Sequence, residues 1–232
     1  MLKRNEWTRG RIALREWLPV IVLMCCTFVF NTSEFIPIGL LSDIAADFGI
    51  TEARAGLLIT VYAWVVALVS LPLMLAVARM ECRRLMLGVL GLFIVSHVLS
   101  GLSSSYAMLM ASRIGVACAH AVFWSIVSPL AVRVAPKGAQ SAALGLIITG
   151  TSIAMIVGLP LGRVIGLYVG WRTTFFFIAA VAAAVWLFLA AIFPRVPSRD
   201  TISLRKVPSL LGNPALVGVY VLTVLMVTGH YT

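Results

Sequence analysis

The sequence predicts an all-α membrane protein, and three observations carry that reading. Hydrophobic residues make up 61% of the chain and charged residues only 11%, too few charges to clothe a water-soluble domain. The charges are also confined. Leaving Glu34 aside, none falls between Glu16 and Asp43, Arg54 and Arg79, Lys137 and Arg163, or Arg172 and Arg195. Each run is long enough to cross a bilayer as helix, which takes roughly 20 apolar residues. Finally, the cations cluster in every second gap between runs, as they do when alternate loops stay in the cytoplasm.

Taken in order, the runs predict spans at about 18–41, 55–78, 85–101, 106–132, 139–162, 173–194 and from 215 onward. The long stretch from Leu85 to Val132 is divided by "SGLSSSY" (100–106), a small polar turn. Helix is the expected state throughout, because lipid offers the backbone no hydrogen-bond partner. Four segments follow: a basic cytoplasmic tail at 1–17, a six-helix transmembrane unit at 18–194, a cytoplasmic linker at 195–214, and an incomplete seventh helix at 215–232. The last of these, "ALVGVYVLTVLMVTGHYT", stops inside an apolar span with no polar tail, so the sequence reads as part of a longer chain.

A cytoplasmic N-terminus places Lys3, Arg4, Arg9, Arg11, Arg15, Arg79, Arg83, Arg84, Arg133, Lys137, Arg195, Arg199, Arg205 and Lys206 inside, leaving only Arg54, Arg163 and Arg172 outside. This distribution accounts for the net charge of +10 without a nucleic-acid partner, since no single patch gathers the cations. The apolar run of the first span is too long for a signal peptide, and no small-residue cleavage site follows it. Cys25, Cys26, Cys82 and Cys118 show no metal-ligand spacing, and no cofactor is expected.

Ionisable groups at membrane depth are costly unless paired or hydrated, and so they mark candidate sites. Glu34 lies about 10 Å below the outer end of span one at 1.5 Å per residue, and Arg113 on the oppositely directed span four lies at about the same depth. The two charges can meet, either as a proton-sensitive pair or as a static ion pair that only fixes packing. Arg113, Ala117, His120, Trp124 and Ser128 share one face of span four, while Thr27, Asn31 and Glu34 form a stripe on span one. Two such stripes suit a water-filled cleft. Trp124, with Trp64 or Tyr62, offers an apolar face for stacking, and Asn31 and His120 offer hydrogen bonds to a polyhydroxy ligand. His120 is either a proton carrier or a neutral histidine bonded to a backbone carbonyl. His97 has no ionisable companion at helical spacing and reads as structural. In span five, Gly150, Ala154, Gly158, Gly162, Gly166 and Gly170 form a small-residue ridge containing Pro160, suited to close packing or to a gating contact. An intramembrane serine hydrolase is disfavoured, because no nucleophile motif accompanies a positioned histidine.

The motifs "NTSEFIPIGLLSDIAADFGIT" (31–51), "VYAWVVALVSLPLML" (61–75), "SRIGVACAHAVFWSI" (112–126), "TGTSIAMIVGLPLGRVIGLYVGWRTTFF" (149–176) and "VTGHYT" (227–232) resemble the major facilitator superfamily. The likeness is to its proton-antiporting efflux branch, and within it to bacterial sugar exporters of the arabinose type. That resemblance implies the first six-helix half of a twelve-helix transporter plus the start of a seventh helix, working by alternating access in a bacterial inner membrane. It implies proton-coupled export of small sugars or sugar-like metabolites, with drug or other metabolite efflux, or a non-transporting remnant, as alternatives. The partners implied are a small polar metabolite, protons, the bilayer and a second six-helix half. Proton coupling would fall to Glu34, Arg113 and His120, substrate contact to Asn31, His120, Trp124, Tyr62 and His230, and helix packing or gating to Gly150, Gly158, Pro160, Gly162 and Gly166. The chain departs from the family pattern at Val116 and Ala117, at Leu159 and Arg163, and at Arg79, which stands where an aspartate is usual. The usual charge lock of that loop is retained only if Glu81 substitutes for the aspartate.

Overall fold

The computed structural model describes residues 2–198 (backbone alone for 2–13) and, beyond them, residues 212, 214, 217–219, 221, 222 and 225. The linker residues 199–211 and His230 lie outside the described residues. All regular elements among the described residues are helical: α1 (Leu2–Gly39), α2 (Leu41–Phe48), α3 (Glu52–Val77), α4 (Cys82–Gly101), α5 (Tyr106–Val134), α6 (Gln140–Ile153), a π-helical turn (Ala154–Gly158), α7 (Leu159–Val169) and α8 (Trp171–Ile192). The chain forms two units, Met1–Ser198 and Arg199–Thr232. In the second, Pro214, Val217, Gly218, Val219, Val221, Leu222 and Leu225 are helical.

Six helices of the first unit are long and apolar enough to cross a membrane: Leu14–Gly39, Glu52–Val77, Cys82–Gly101, Tyr106–Val134, Gln140–Val169 and Trp171–Ile192, taken below as spans one to six. Their ends are set by local chemistry. Thr51, Glu81 and Ser105 cap spans two, three and four, each side chain accepting a backbone N–H of the first turn. Gly170, at φ 101°, adopts a conformation that a side chain disfavours and separates spans five and six. Span five therefore runs past residue 162 to Val169, seven residues beyond the sequence expectation. Glycines at 162 and 166 do not stop a helix in lipid, where leaving the backbone unpaired costs more than poor propensity. Arg163 consequently sits within the helix and not in a loop.

Spans one and four form the centre. Each is 61% buried over its most apolar window, against 11% for span two. Span one packs along span five, span four along spans two and three, and span three along span six. Phe30 of span one stacks on Phe123 of span four at 4.0 Å and lies 4.3 Å from Phe93 of span three, joining three helices in one aromatic cluster. Close approach of spans one and five depends on the glycine ridge. A Cβ at Gly150 would lie 2.6 Å from the Met24 carbonyl oxygen, and one at Gly158, Gly162 or Gly166 would overlap Thr32, Ile36 or Leu40. Gly170, by contrast, faces nothing and acts as the stop between helices.

Candidate functional site

The polar residues of spans one and four meet in the middle of this bundle. Arg113 is 1% exposed, its guanidinium carbon 4.9 Å from the centre of the Tyr62 ring on span two. That cation–π contact offsets part of the cost of burying the charge. Nε and Nη1 of Arg113 have no hydrogen-bond partner among the described residues, and neither does Oδ1 of buried Asn31. Glu34 is half-buried on span one. Its charge and that of Arg113 are near enough to interact, but no ion pair within 4.0 Å joins them among the described residues. The shared depth read from the sequence thus produces proximity with the contact left open.

His120 bridges spans four and one. Its Nε2 lies 2.9 Å from the Phe30 carbonyl oxygen and its Nδ1 3.2 Å from that of Val116. A neutral imidazole has one N–H and can serve one of these acceptors, whereas an imidazolium serves both. Tyr62, its ring 5.4 Å from that of His120, covers both this histidine and Arg113. Further along the same face the cover ends. Trp124 is 36% exposed, touching the Phe123 ring edge-on, and Ser128 is exposed as well. The face expected from helical spacing is therefore split between a buried group (Arg113, Ala117, His120) and an open one. Thr27 turns its hydroxyl back to the Leu23 carbonyl 2.9 Å away. Trp64 is 63% exposed, on the outer surface of span two.

His97 ties span three to span one beside Glu34, although helical spacing gave no reason to expect the contact. It is fully buried, with Nδ1 2.9 Å from the Phe93 carbonyl oxygen and Nε2 2.7 Å from Ser33 Oγ on span one. The Phe93 carbonyl can only accept, so in the neutral ring Nδ1 carries the proton and the Ser33 hydroxyl donates to Nε2. The signal was one of depth: His97 precedes Ser105 by as many residues as Arg113 follows it, and Ser33 adjoins Glu34. Around Gly158 and Gly162, a cavity of about 120 Å³ lies between spans one, five and six, lined by Phe28, Thr32, Ile36, Leu161 and Ile178 among others.

At the end carrying Arg79, Arg83 and Arg84, Glu81 forms no inter-helix ion pair among the described residues. Its carboxylate accepts the backbone N–H groups of Arg83 (2.9 Å), Arg84 (3.2 Å) and Val196 (2.9 Å), and the Cys82 N–H donates to the Val196 carbonyl at 3.0 Å. Desolvation pushes its pKa up, but these backbone donors outweigh it and hold the carboxyl below its ordinary value.

The family model of the Major Facilitator Superfamily matches residues 23–232. The chain belongs to that superfamily. Solved structures agree at the level of fold. A bacterial homologue of the human lysosomal transporter Spinster, inward-facing and unoccupied, superposes with a TM-score of 0.64 at 19% identity, covering 82% of this chain and 45% of that one. A POT family transporter in complex with 5-aminolevulinic acid gives 0.64 at 17% identity, covering 93% and 47%. The peptide transporter POT in complex with sulfate gives 0.68 at 12%, covering 94% and 47%. The chain thus spans about half the length of these transporters. Family membership and six helices able to cross a membrane make this a multi-pass membrane protein with the major facilitator fold.

Proposed function

We propose that this major facilitator chain supplies the first half of a proton-coupled exporter of small sugars or sugar-like metabolites. The observation that carries the reading is the buried charge at its centre. Arg113 is 1% exposed with two nitrogens unpartnered, and the Glu34 charge stands near it without closing an ion pair. A cation left incompletely paired at membrane depth is costly and marks a working group. Proton exchange on Glu34 alters how strongly it attracts Arg113, and His120, facing two carbonyl acceptors, gains a second hydrogen bond when it takes up a proton. Asn31, with its unpartnered Oδ1, supplies an acceptor for a hydroxylated substrate, and exposed Trp124 a surface for stacking. Tyr62 covers Arg113 and His120. His230 would join from the seventh helix, and the glycine ridge with Pro160 would serve as the moving contact. The second six-helix half completes the cavity, and the uneven distribution of cations favours a cytoplasmic N-terminus in a bacterial inner membrane.

The test is transport by the full-length protein in vesicles carrying a pH gradient. Glu34→Gln is expected to abolish pH-driven efflux while leaving substrate exchange at equal pH, and unaltered pH-driven efflux would remove Glu34 from the coupling. Competition distinguishes the substrate class: inhibition by sugars supports this reading, and inhibition by lipophilic cations alone replaces it with drug efflux.

A further inference from the structure

At the opposite end of the bundle from Glu81, α2 carries Asp43 and Asp47 one helical turn apart, each paired with an arginine. The two pairs are built differently. Arg172, at the start of span six, contacts Asp47 at 2.7 Å, donates from Nε and Nη2 to the Ser103 carbonyl at 3.2 and 3.0 Å, and lies 4.2 Å over the Trp171 ring. Several independent contacts fix it. Arg163 contacts Asp43, its stem resting where Gly39 leaves room, and among the described residues no further hydrogen bond fixes its guanidinium, although the side chains of both pairs are more than a third exposed.

Arg163 also sits beyond the irregular part of span five. The π-helical turn Ala154–Gly158 interrupts the regular bonding ladder, and Pro160, lacking an N–H, weakens the next turn. Beyond this joint α7 forms an eleven-residue arm that ends at Gly170. Beside the joint lies the cavity of about 120 Å³, which leaves room at Gly158 and Leu161, while Gly162 and Gly166 of the arm pack closely on Ile36 and Leu40.

We propose that the Asp43–Arg163 ion pair is a releasable latch that holds the α7 arm of span five against α2, with the Ala154–Gly158 turn as its hinge. The Asp47–Arg172 pair is the fixed counterpart, anchoring α2 to span six while the latch opens. Arg163 stands where the family pattern has a glycine, and the latch gives it a task there. The proposal rests on the transport reading only in that the arm's movement serves alternating access; its test needs neither substrate nor proton.

The experiment measures maleimide labelling at Ile178→Cys in the full-length protein in lipid nanodiscs, read by peptide mass spectrometry. Ile178 is 4% exposed on span six and lines the cavity behind the arm. Cys82, half-buried at the other end, is the reference, and Cys26, buried in the core, reports general loosening. Asp43→Asn and Arg163→Gln are each expected to raise the labelling rate at 178 about two- to fivefold, the bias a half-exposed ion pair can exert on a two-state equilibrium. The exchanged pair Asp43→Arg with Arg163→Asp should bring the rate back, and Asp47→Asn should leave it unchanged. An unchanged rate in Asp43→Asn overturns the latch, as does an equal rise at Cys26. Labelling that follows the expected pattern in a protein that transports nothing would sustain the latch and defeat the transport reading.

Discussion

Replacing Gly150 by Ala tests how spans one and five are held together. Its new methyl group would lie 2.6 Å from the Met24 carbonyl oxygen and 3.3 Å from Thr27 Cβ. A helix backbone cannot rotate aside as a side-chain end can, so the helices must separate. Gly162→Ala meets a softer obstacle, the end of the Ile36 side chain, which can turn into the adjoining cavity. Gly145→Ala, with nothing within 4 Å, is the reference. All three replacements share the helix-propensity gain of about 1 kcal/mol for Ala over Gly, and so their differences isolate packing. Overpacking costs about 1–3 kcal/mol. Gly150→Ala should therefore fall below Gly145→Ala by about that amount, a loss of several degrees in Tm for a unit of this size, with Gly162→Ala between them. Equilibrium unfolding in mixed detergent micelles measures the order. A Gly150→Ala protein as stable as Gly145→Ala would refute close helix approach as the function of the ridge.

Ser33→Ala removes the hydroxyl that donates to His97 Nε2; leaving that buried nitrogen unpaired should cost about 1–3 kcal/mol in the same unfolding assay. Tyr62→Leu uncovers Arg113 and should destabilise by up to about 2 kcal/mol through the lost cation–π contact, with Trp64→Leu, on the exposed face, close to neutral. The Glu81 clasp gives a pH dependence. Because its folded pKa lies below the ordinary value of 4.5, the stabilisation is present above that value and is lost as pH falls through the lower folded pKa. Limited proteolysis after Val196 should accelerate in acid for the natural protein and be fast at neutral pH already in Glu81→Ala; the same acid response in both would remove Glu81 from the clasp.

The six spans were legible in the sequence because a bilayer imposes one simple rule, long uncharged runs between polar stops, and the runs obey it. The ridge at Gly150, Gly158, Gly162 and Gly166 was legible too, since spacing alone puts small residues on one helix face. Spacing could not say what covers that face. Arg113, His120 and Trp124 share a stripe, yet Tyr62 and Phe30 close over the first two while Trp124 stays open, because neighbouring helices cover a face unevenly along its length. His97 was read as structural without a partner in view, because Ser33 is 64 residues away on another helix and carries no charge to advertise the contact. Arg163 was placed outside the membrane because its charge ended the uncharged run, and the helix continues past it to Val169.

By itself, then, the sequence determined the class of protein and the six spans of the first unit, which follow from the cost of charge and unpaired backbone in hydrocarbon. Only the tertiary structure decided which groups touch. Glu34 and Arg113 share a depth without closing an ion pair, Glu81 binds backbone N–H groups on both sides of its helix start, and Asp43 finds Arg163 120 residues away. Such contacts depend on the rotation and crossing of packed helices, which small residues and aromatic clusters set collectively and which local periodicity does not encode.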